Sequence, residues 1–335
     1  MKFIKICTFY FSVFLCCGLA SAATFNSADN VGTYNLILKN DLSTSSDIEG
    51  AIFVGGDITN ASTFGNNCNA GCTNGVDAVT VIGDINSNFN LVGNNSDGTR
   101  NVVYGGTISG NVNNNANGEI RQADADELSM LEEALESLYQ GAVEDSENFS
   151  ALASNGSVDD SDPNRVTFTP DSVIDGEAIV FDVSGELLSR NISLDFDALI
   201  GLNVPIIINV TGASDALDDT LTVSAGFIGN REGIRNSLIF NFNNYNDITF
   251  SRDGFEGSVL APQADVTITN GAFDGGLVAL SLDSMAELHA EFFDEEFEDP
   301  DVPVPPSEVP TPASLLLTVL ALIYISRRRK TISSI

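Results

Sequence analysis

Ile52-Phe-Val-Gly-Gly-Asp-Ile58 recurs as Val79-Thr-Val-Ile-Gly-Asp-Ile85 and again as Val102-Val-Tyr-Gly-Gly-Thr-Ile108. Each copy is a short β-branched or aromatic run closed by glycine and a small polar residue, the composition of a strand that ends in a tight turn. Later in the chain Leu238-Ile-Phe-Asn-Phe242, Gly257-Ser-Val-Leu-Ala261 and Gly275-Gly-Leu-Val-Ala279 repeat the strand part of the pattern. Separations of about 18 to 27 residues fall within the range of stacked repeat units. The pattern predicts a mainly β fold, a right-handed parallel β-helix whose coils each lay a strand on the one before and bury a column of aliphatic side chains. Gly and Asn are expected at the corners that need unusual backbone angles, with Asn94-Asn95 and Asn113-Asn114-Asn115 placed there. A β-sandwich also suits strands of this length but does not require the recurring motif.

The segment from Asp124 to about Ala153 breaks the β pattern. Leu128, Leu131, Leu135, Leu138, Ala142, Phe149 and Leu152 fall on one helical stripe, with acidic residues early, where they complement the helix dipole. One long amphipathic helix over about 124–153 is expected to pack along the β stack and cover its core.

The two ends read as export signals. Lys2 and Lys5 precede an apolar run and then Ala20-Ser21-Ala22, a cleavable secretion signal over 1–22 with cleavage between Ala22 and Ala23. The body is expected over 23–299, followed by a Pro-rich acidic linker over 300–312, a hydrophobic anchor or sorting helix over 313–326 and a basic cytoplasmic tail over 327–335. The apolar run is shorter than the roughly 20 residues of a comfortable span, which suits a sorting signal that is later removed. The tail resembles the PEP-CTERM class of sorting signals in Val309-Pro310-Thr311-Pro312 and in Arg327-Arg328-Arg329, with Thr311 where that class has glutamate. That resemblance implies an exosortase-like processing enzyme as a partner, contact with the membrane through the C-terminal segment, and delivery to the cell envelope or extracellular matrix.

The chain carries 14 Lys+Arg against 47 Asp+Glu, a formal net charge of −33, and Lys2, Lys5, Arg327, Arg328, Arg329 and Lys330 all lie in the end segments. So acidic a body excludes nucleic acid and anionic membrane as its partners. Of the five cysteines, Cys7, Cys16 and Cys17 fall in the signal, leaving Cys68-Asn-Ala-Gly-Cys72. In an oxidising compartment that pair reads as a local disulfide, preferred over a metal site because the only histidine, His289, is remote in sequence.

Catalytic signatures are absent from the sequence. His289, in Glu287-Leu-His-Ala-Glu291, has no marked nucleophile and reads as structural, and carboxylate pairs are too abundant to single one out. The stretch 160–171 sets Asp160, Asp162, Asn164 and Asp171 in a calcium-loop register, without the glycine of position 6, where Arg165 stands, and without the closing glutamate. Calcium is thus the one candidate metal, and no cofactor is implied.

Across the body, Tyr34-Asn-Leu-Ile-Leu38, Ser46-Asp-Ile-Glu-Gly50, Ile206-Ile-Ile-Asn-Val-Thr-Gly212, Gly257-Ser-Val-Leu-Ala-Pro-Gln-Ala-Asp265 and Glu287-Leu-His-Ala-Glu-Phe292 occur in the order seen in the choice-of-anchor A family of bacterial adhesive domains. The resemblance implies a non-catalytic surface scaffold that recognises an extracellular polymer, glycan or matrix protein, anchored by interchangeable C-terminal signals. The combination of β-helix, flanking helix and Gly-Ser-Val-Leu-Ala-Pro is also similar to bacterial ice-binding domains. Two other functions stay open. A polysaccharide lyase would need arginines such as Arg231, Arg235 and Arg252 clustered beside carboxylates. Ice binding would need a flat face of regularly spaced threonines, and Thr107, Thr222, Thr249, Thr267 and Thr269 form no repeated T-x-T ladder in the sequence.

Overall fold

The three copies of the opening motif become neighbouring parallel strands, Ile52–Val54, Val79–Val81 and Arg100–Tyr104, in the register Ile52↔Val79↔Val102 and Val54↔Val81↔Tyr104. The computed structural model describes residues 32–66, 77–93, 100–173, 177–194, 204–212, 220–229, 234–291 and 293. Among these the chain is mainly β, with largely parallel sheets of fourteen, seven and four strands and one long α-helix. The signal segment with Ala22 and Ala23, the Cys68–Cys72 pair, Asn94-Asn95, Arg231, the linker, the sorting motif and the basic tail lie outside the described residues.

Leu36–Leu38 lies between Ile52–Val54 and Leu277–Ser284, so early and late strands of the domain sit side by side. From there the sheet continues through Ser258–Ile268, Leu238–Asn241 and Ile206–Thr211 to Ile179–Ser184. Strands covered on both faces read as unbroken apolar runs rather than as alternation. Leu36, Ile52, Val54, Val79 and Phe240 pack into the main core, whereas Ile37, Phe53, Ile207, Ile239 and Val278 form a second apolar layer beneath the helix.

The glycine turn that ends each repeat, Gly55-Gly56-Asp57, Ile82-Gly83-Asp84 or Gly105-Gly106-Thr107, has a specific job. The Asp57 N–H donates to Asp41 Oδ1 at 2.7 Å, the Asp84 N–H to Asp57 Oδ1 at 2.7 Å, and the Thr107 N–H to Asp84 Oδ1 at 2.6 Å. Each carboxylate thus ties its turn to the next by a charge-assisted bond. A β-carbon on Gly56, Gly83 or Gly106 would come within 2.1–2.3 Å of the aspartate oxygen of the preceding turn. The first glycine of the pair makes room for both the preceding turn and the helix, since a β-carbon on Gly55 would come 2.3 Å from the Lys39 carbonyl oxygen and 2.6 Å from Leu135 Cδ2, and one on Gly105 2.3 Å from the Ile82 carbonyl oxygen and 2.5 Å from Leu128 Cδ1.

The helix spans Ala125–Ala151 and is capped by Asp124, whose Oδ1 accepts from the N–H groups of Asp126 and Glu127. Its buried face is Leu135, Tyr139, Ala142 and Phe149 together with Asp145 and Ser146, while Leu128, Leu131, Leu138 and Leu152 are half-buried flanks. The buried stripe is more polar than the sequence pattern suggests because the sheet beneath offers polar groups of its own. Asn241 Nδ2 donates to the Ser146 carbonyl (2.9 Å) and to Asn209 Oδ1 (3.0 Å), Ser146 Oγ donates to Asn241 Oδ1 (2.6 Å), and Asn209 Nδ2 donates to the Phe149 carbonyl (2.7 Å). The Tyr139 hydroxyl donates to the Pro262 carbonyl, and burial, with the nearby Glu136 and Asp265 charges, pushes its pKa up to about 12.

Two local expectations are corrected. Asn113-Asn114-Asn115 is not a corner but belongs to the strand Val112–Asn115, where the Asn113 amide donates to Asn90 Oδ1 of the neighbouring strand at 3.0 Å. The corner residue is Asn117, with φ 57°, in the left-handed region that asparagine tolerates. The parallel pattern is also interrupted by Gly156–Asp159, which pairs antiparallel with Arg165–Pro170.

Candidate binding face

Three strands beyond the helix carry the same short pattern, polar-apolar-polar-apolar, Thr220-Leu-Thr-Val223, Asp247-Ile-Thr-Phe250 and Asp265-Val-Thr-Ile268, and a fourth, Ser281-Leu-Asp-Ser284, departs from it only in its buried last residue, Ser284. They pair in parallel and in register, and Leu42–Thr44 adds a fifth strand. Leu221, Ile248, Val266, Leu282 and Leu42 form one buried column, and the residues between them point outward, as strand alternation requires.

Two outward columns result. One aligns Thr222, Thr249, Thr267, Asp283 and Ser43, and the other aligns Thr220, Asp247, Asp265 and Ser281. All nine are exposed or half-buried. Neighbouring strands lie about 4.8 Å apart and alternate residues along a strand about 6.6 Å apart, so the columns form a regular lattice of short hydroxyl and carboxylate groups. Within it Ser281 Oγ donates to Asp265 Oδ1. Three of the threonines, Thr222, Thr249 and Thr267, stand in register on adjacent strands, but the residues two positions before them are Thr220, Asp247 and Asp265, so the column is a single file and no repeated T-x-T ladder forms. Thr107 and Thr269 lie outside these columns.

The chain matches, over residues 27–290, the family described as "Putative Ice-binding-like adhesive domain". It belongs to that family. A comparison with curated proteins found no match. Among solved structures, an ice-binding protein from an Antarctic biological consortium is 15% identical, with 85% of this chain and 93% of that chain covered at a TM-score of 0.31. An ice-binding protein from the Antarctic ascomycete Antarctomyces psychrotrophicus is 12% identical, with 77% and 94% covered at a TM-score of 0.33.

In this ice-binding-like adhesive domain the other sequence candidates fall elsewhere. Asp160, Asp162 and Asn164 sit on the turn of the antiparallel hairpin, and the strand Arg165–Pro170 carries Asp171 away from them, by about 20 Å if fully extended. Asp162 Oδ1 accepts from the Asn164 N–H at 2.9 Å, and the Arg165 guanidinium lies 3.8 Å from its other oxygen. Arg235 and Arg252 serve different partners. Arg235 pairs with Glu291 at 2.5 Å and lies 3.8 Å from Asp274, whereas Arg252 donates to Asn191 Oδ1 at 2.9 Å. Among the described residues no helix is long and apolar enough to cross a membrane.

His289 is embedded in charge. Its Nδ1 hydrogen-bonds Asp274 Oδ1, its Nε2 lies 3.6 Å from Glu287 Oε2, and Glu49 is adjacent. Burial alone would lower its pKa, but the Asp274 hydrogen bond and the surrounding carboxylates outweigh that and raise it. Sequence spacing shows Glu287 and His289 on one strand face but gives no sign of Glu49 or Asp274, which come from other strands.

Proposed function

We propose that this protein is an exported, non-catalytic surface adhesin whose exposed hydroxyl and carboxylate lattice binds a hydroxyl-rich extracellular polymer, a glycan being the favoured ligand. The in-register columns on five adjacent strands carry the reading. Carboxylate oxygens accept hydrogen bonds from sugar hydroxyls, and serine and threonine hydroxyls both donate and accept. Each contact is weak, but a rigid lattice makes several at once, and dense display on a cell multiplies the effect.

In this account the parallel strands form successive coils of a right-handed β-helix, as in the choice-of-anchor A adhesins. The signal over 1–22 exports the chain, and the PEP-CTERM-like tail delivers it to the envelope or matrix through an exosortase-like enzyme. Cys68 and Cys72 close a small loop as a disulfide, and calcium can bridge acidic side chains to ligand oxygens. Ice is the second reading, favoured by the Thr222, Thr249 and Thr267 column, because an ice surface is also a lattice of hydroxyl groups. Asp247, Asp265 and Asp283 weigh against it, since charged groups hold their own hydration shells.

The test is retention of the full chain, kept in mild detergent, on insoluble polysaccharides, collagens and other matrix proteins, first with calcium and then with chelator. Saturable retention on a polysaccharide, with no soluble sugar released, is expected. Retention confined to a matrix protein would replace the glycan, and faceting of growing ice crystals would favour the second reading. No retention on any surface would refute adhesion.

A further inference from the structure

The strand Glu287–His289 lies inside the seven-stranded sheet, between Ala272–Asp274 and the early strand Asp47–Ile48, in the register Leu288↔Ile48. Leu288 and Ile48 are buried, so Glu287 and His289 share the outward face, and Glu49, one residue beyond Ile48, stands beside His289. Glu49 Oε2 accepts from the Ala290 N–H at 3.0 Å, which holds the carboxylate over the histidine strand. One ligand atom from each of Glu49, Glu287 and His289 lies within 4.8 Å of the others.

The separation of His289 Nε2 and Glu287 Oε2, 3.6 Å, is close to the roughly 3.4 Å expected between two ligands of a tetrahedral ion held at about 2.1 Å. Behind the ring, Nδ1 is engaged by Asp274, which is 8% exposed and has Arg235 3.8 Å from its other oxygen. An imidazole whose Nδ1–H is given to a buried carboxylate presents the Nε2 lone pair outward, the usual second partner of a metal-bound histidine.

We propose that Glu49, Glu287 and His289 form a binding site for a divalent first-row metal ion, zinc in particular, with Asp274 as the positioning residue. One imidazole nitrogen and two carboxylates suit zinc; calcium and magnesium prefer oxygen alone. The two glutamates neutralise the ion's charge. Because the ligands come from strands early and late in the chain, the ion acts as a clasp between them, and its binding stabilises the folded state by mass action.

His289 is the only histidine, so it reports on the site alone. The full chain, free of any polyhistidine tag and stripped with chelator, is titrated with zinc chloride while the imidazole NMR signals and the heat of binding are recorded. One saturable site is expected, along with protection of His289 from diethylpyrocarbonate and a rise in melting temperature. Calcium at the same concentration should give none of these. His289→Gln and Glu287→Gln are expected to weaken zinc binding at least tenfold, and Asp274→Asn by about 10- to 100-fold. Should His289→Gln fail to fold by circular dichroism, Glu287→Gln decides, since the Glu287 side chain is 39% exposed. Equal zinc uptake by wild type and Glu287→Gln, or zinc that leaves His289 fully reactive, would overturn the assignment.

Discussion

Phe250→Ala is expected to lower the stability of the folded domain by about 3–5 kcal/mol, the usual cost of emptying a buried phenylalanine site. Phe250 is 1% exposed and closes the binding-face strand Asp247–Phe250. Its ring lies 6.1 Å from that of Phe242, 4.7 Å from Phe255 and 5.6 Å from Phe273, all in edge-on contacts. Truncation therefore removes transfer free energy and three aromatic contacts, and the surrounding rings, held by their own strands, cannot close the void. Denaturant unfolding of wild type and variant measures the loss. Replacement of the outward neighbour Thr249 by alanine should change stability by less than about 0.5 kcal/mol, as for other surface positions.

Gly83→Ala is expected to cost about 3 kcal/mol. The new methyl would stand 2.3 Å from Asp57 Oδ1 and 2.5 Å from the Gly56 carbonyl oxygen, so two turns of the stack would have to separate. Overpacking of this kind costs about 1–3 kcal/mol, and the charge-assisted bond from the Asp84 N–H to Asp57, worth about 1.5–3 kcal/mol, is strained with it. Asp57→Ala removes both that bond and one of the two clashing atoms. The double variant should accordingly be more stable than the sum of the single losses, and a thermal-unfolding cycle would show the coupling. Strict additivity would mean that the turn at Gly83 does not pack on the Asp57 carboxylate.

Much of the architecture could be read from the repeats. Ile52-Phe-Val-Gly-Gly-Asp-Ile58 and its copies became adjacent parallel strands because strand and glycine turn are local features repeated in each copy, whereas the carboxylate ties between turns appear only once the strands are paired. The helix is equally visible, from its early acidic residues and its apolar periodicity, whereas its Asp124 cap shows only in the structure. Its polar underside was harder to see, although Asn209 and Asn241 hold matching places in Ile206-Ile-Ile-Asn and Leu238-Ile-Phe-Asn, because which face of a doubly covered strand meets the helix depends on tertiary packing. The candidate face is hidden in the sequence for a different reason. Its columns mix threonine with aspartate and serine, so a search for threonine alone finds no period, and loops of unequal length between the strands hide the register. The cluster around His289 depends on Glu49 and Asp274, which only strand pairing brings near.

The central claim is that the columns headed by Thr220 and Thr222 are the adhesive surface. Its most direct test is retention of the full chain on the polymer that captures wild type, measured for Thr249→Tyr combined with Asp265→Lys and, separately, for Asn113→Lys in the strand Val112–Asn115 of the seven-stranded sheet. All are outward positions, so circular dichroism should stay unchanged. The account predicts at least a tenfold loss of affinity for the binding-face variant, because a bulky ring and a reversed charge break the lattice at two adjacent strands, with Asn113→Lys retained like wild type. Wild-type retention of the binding-face variant would contradict it.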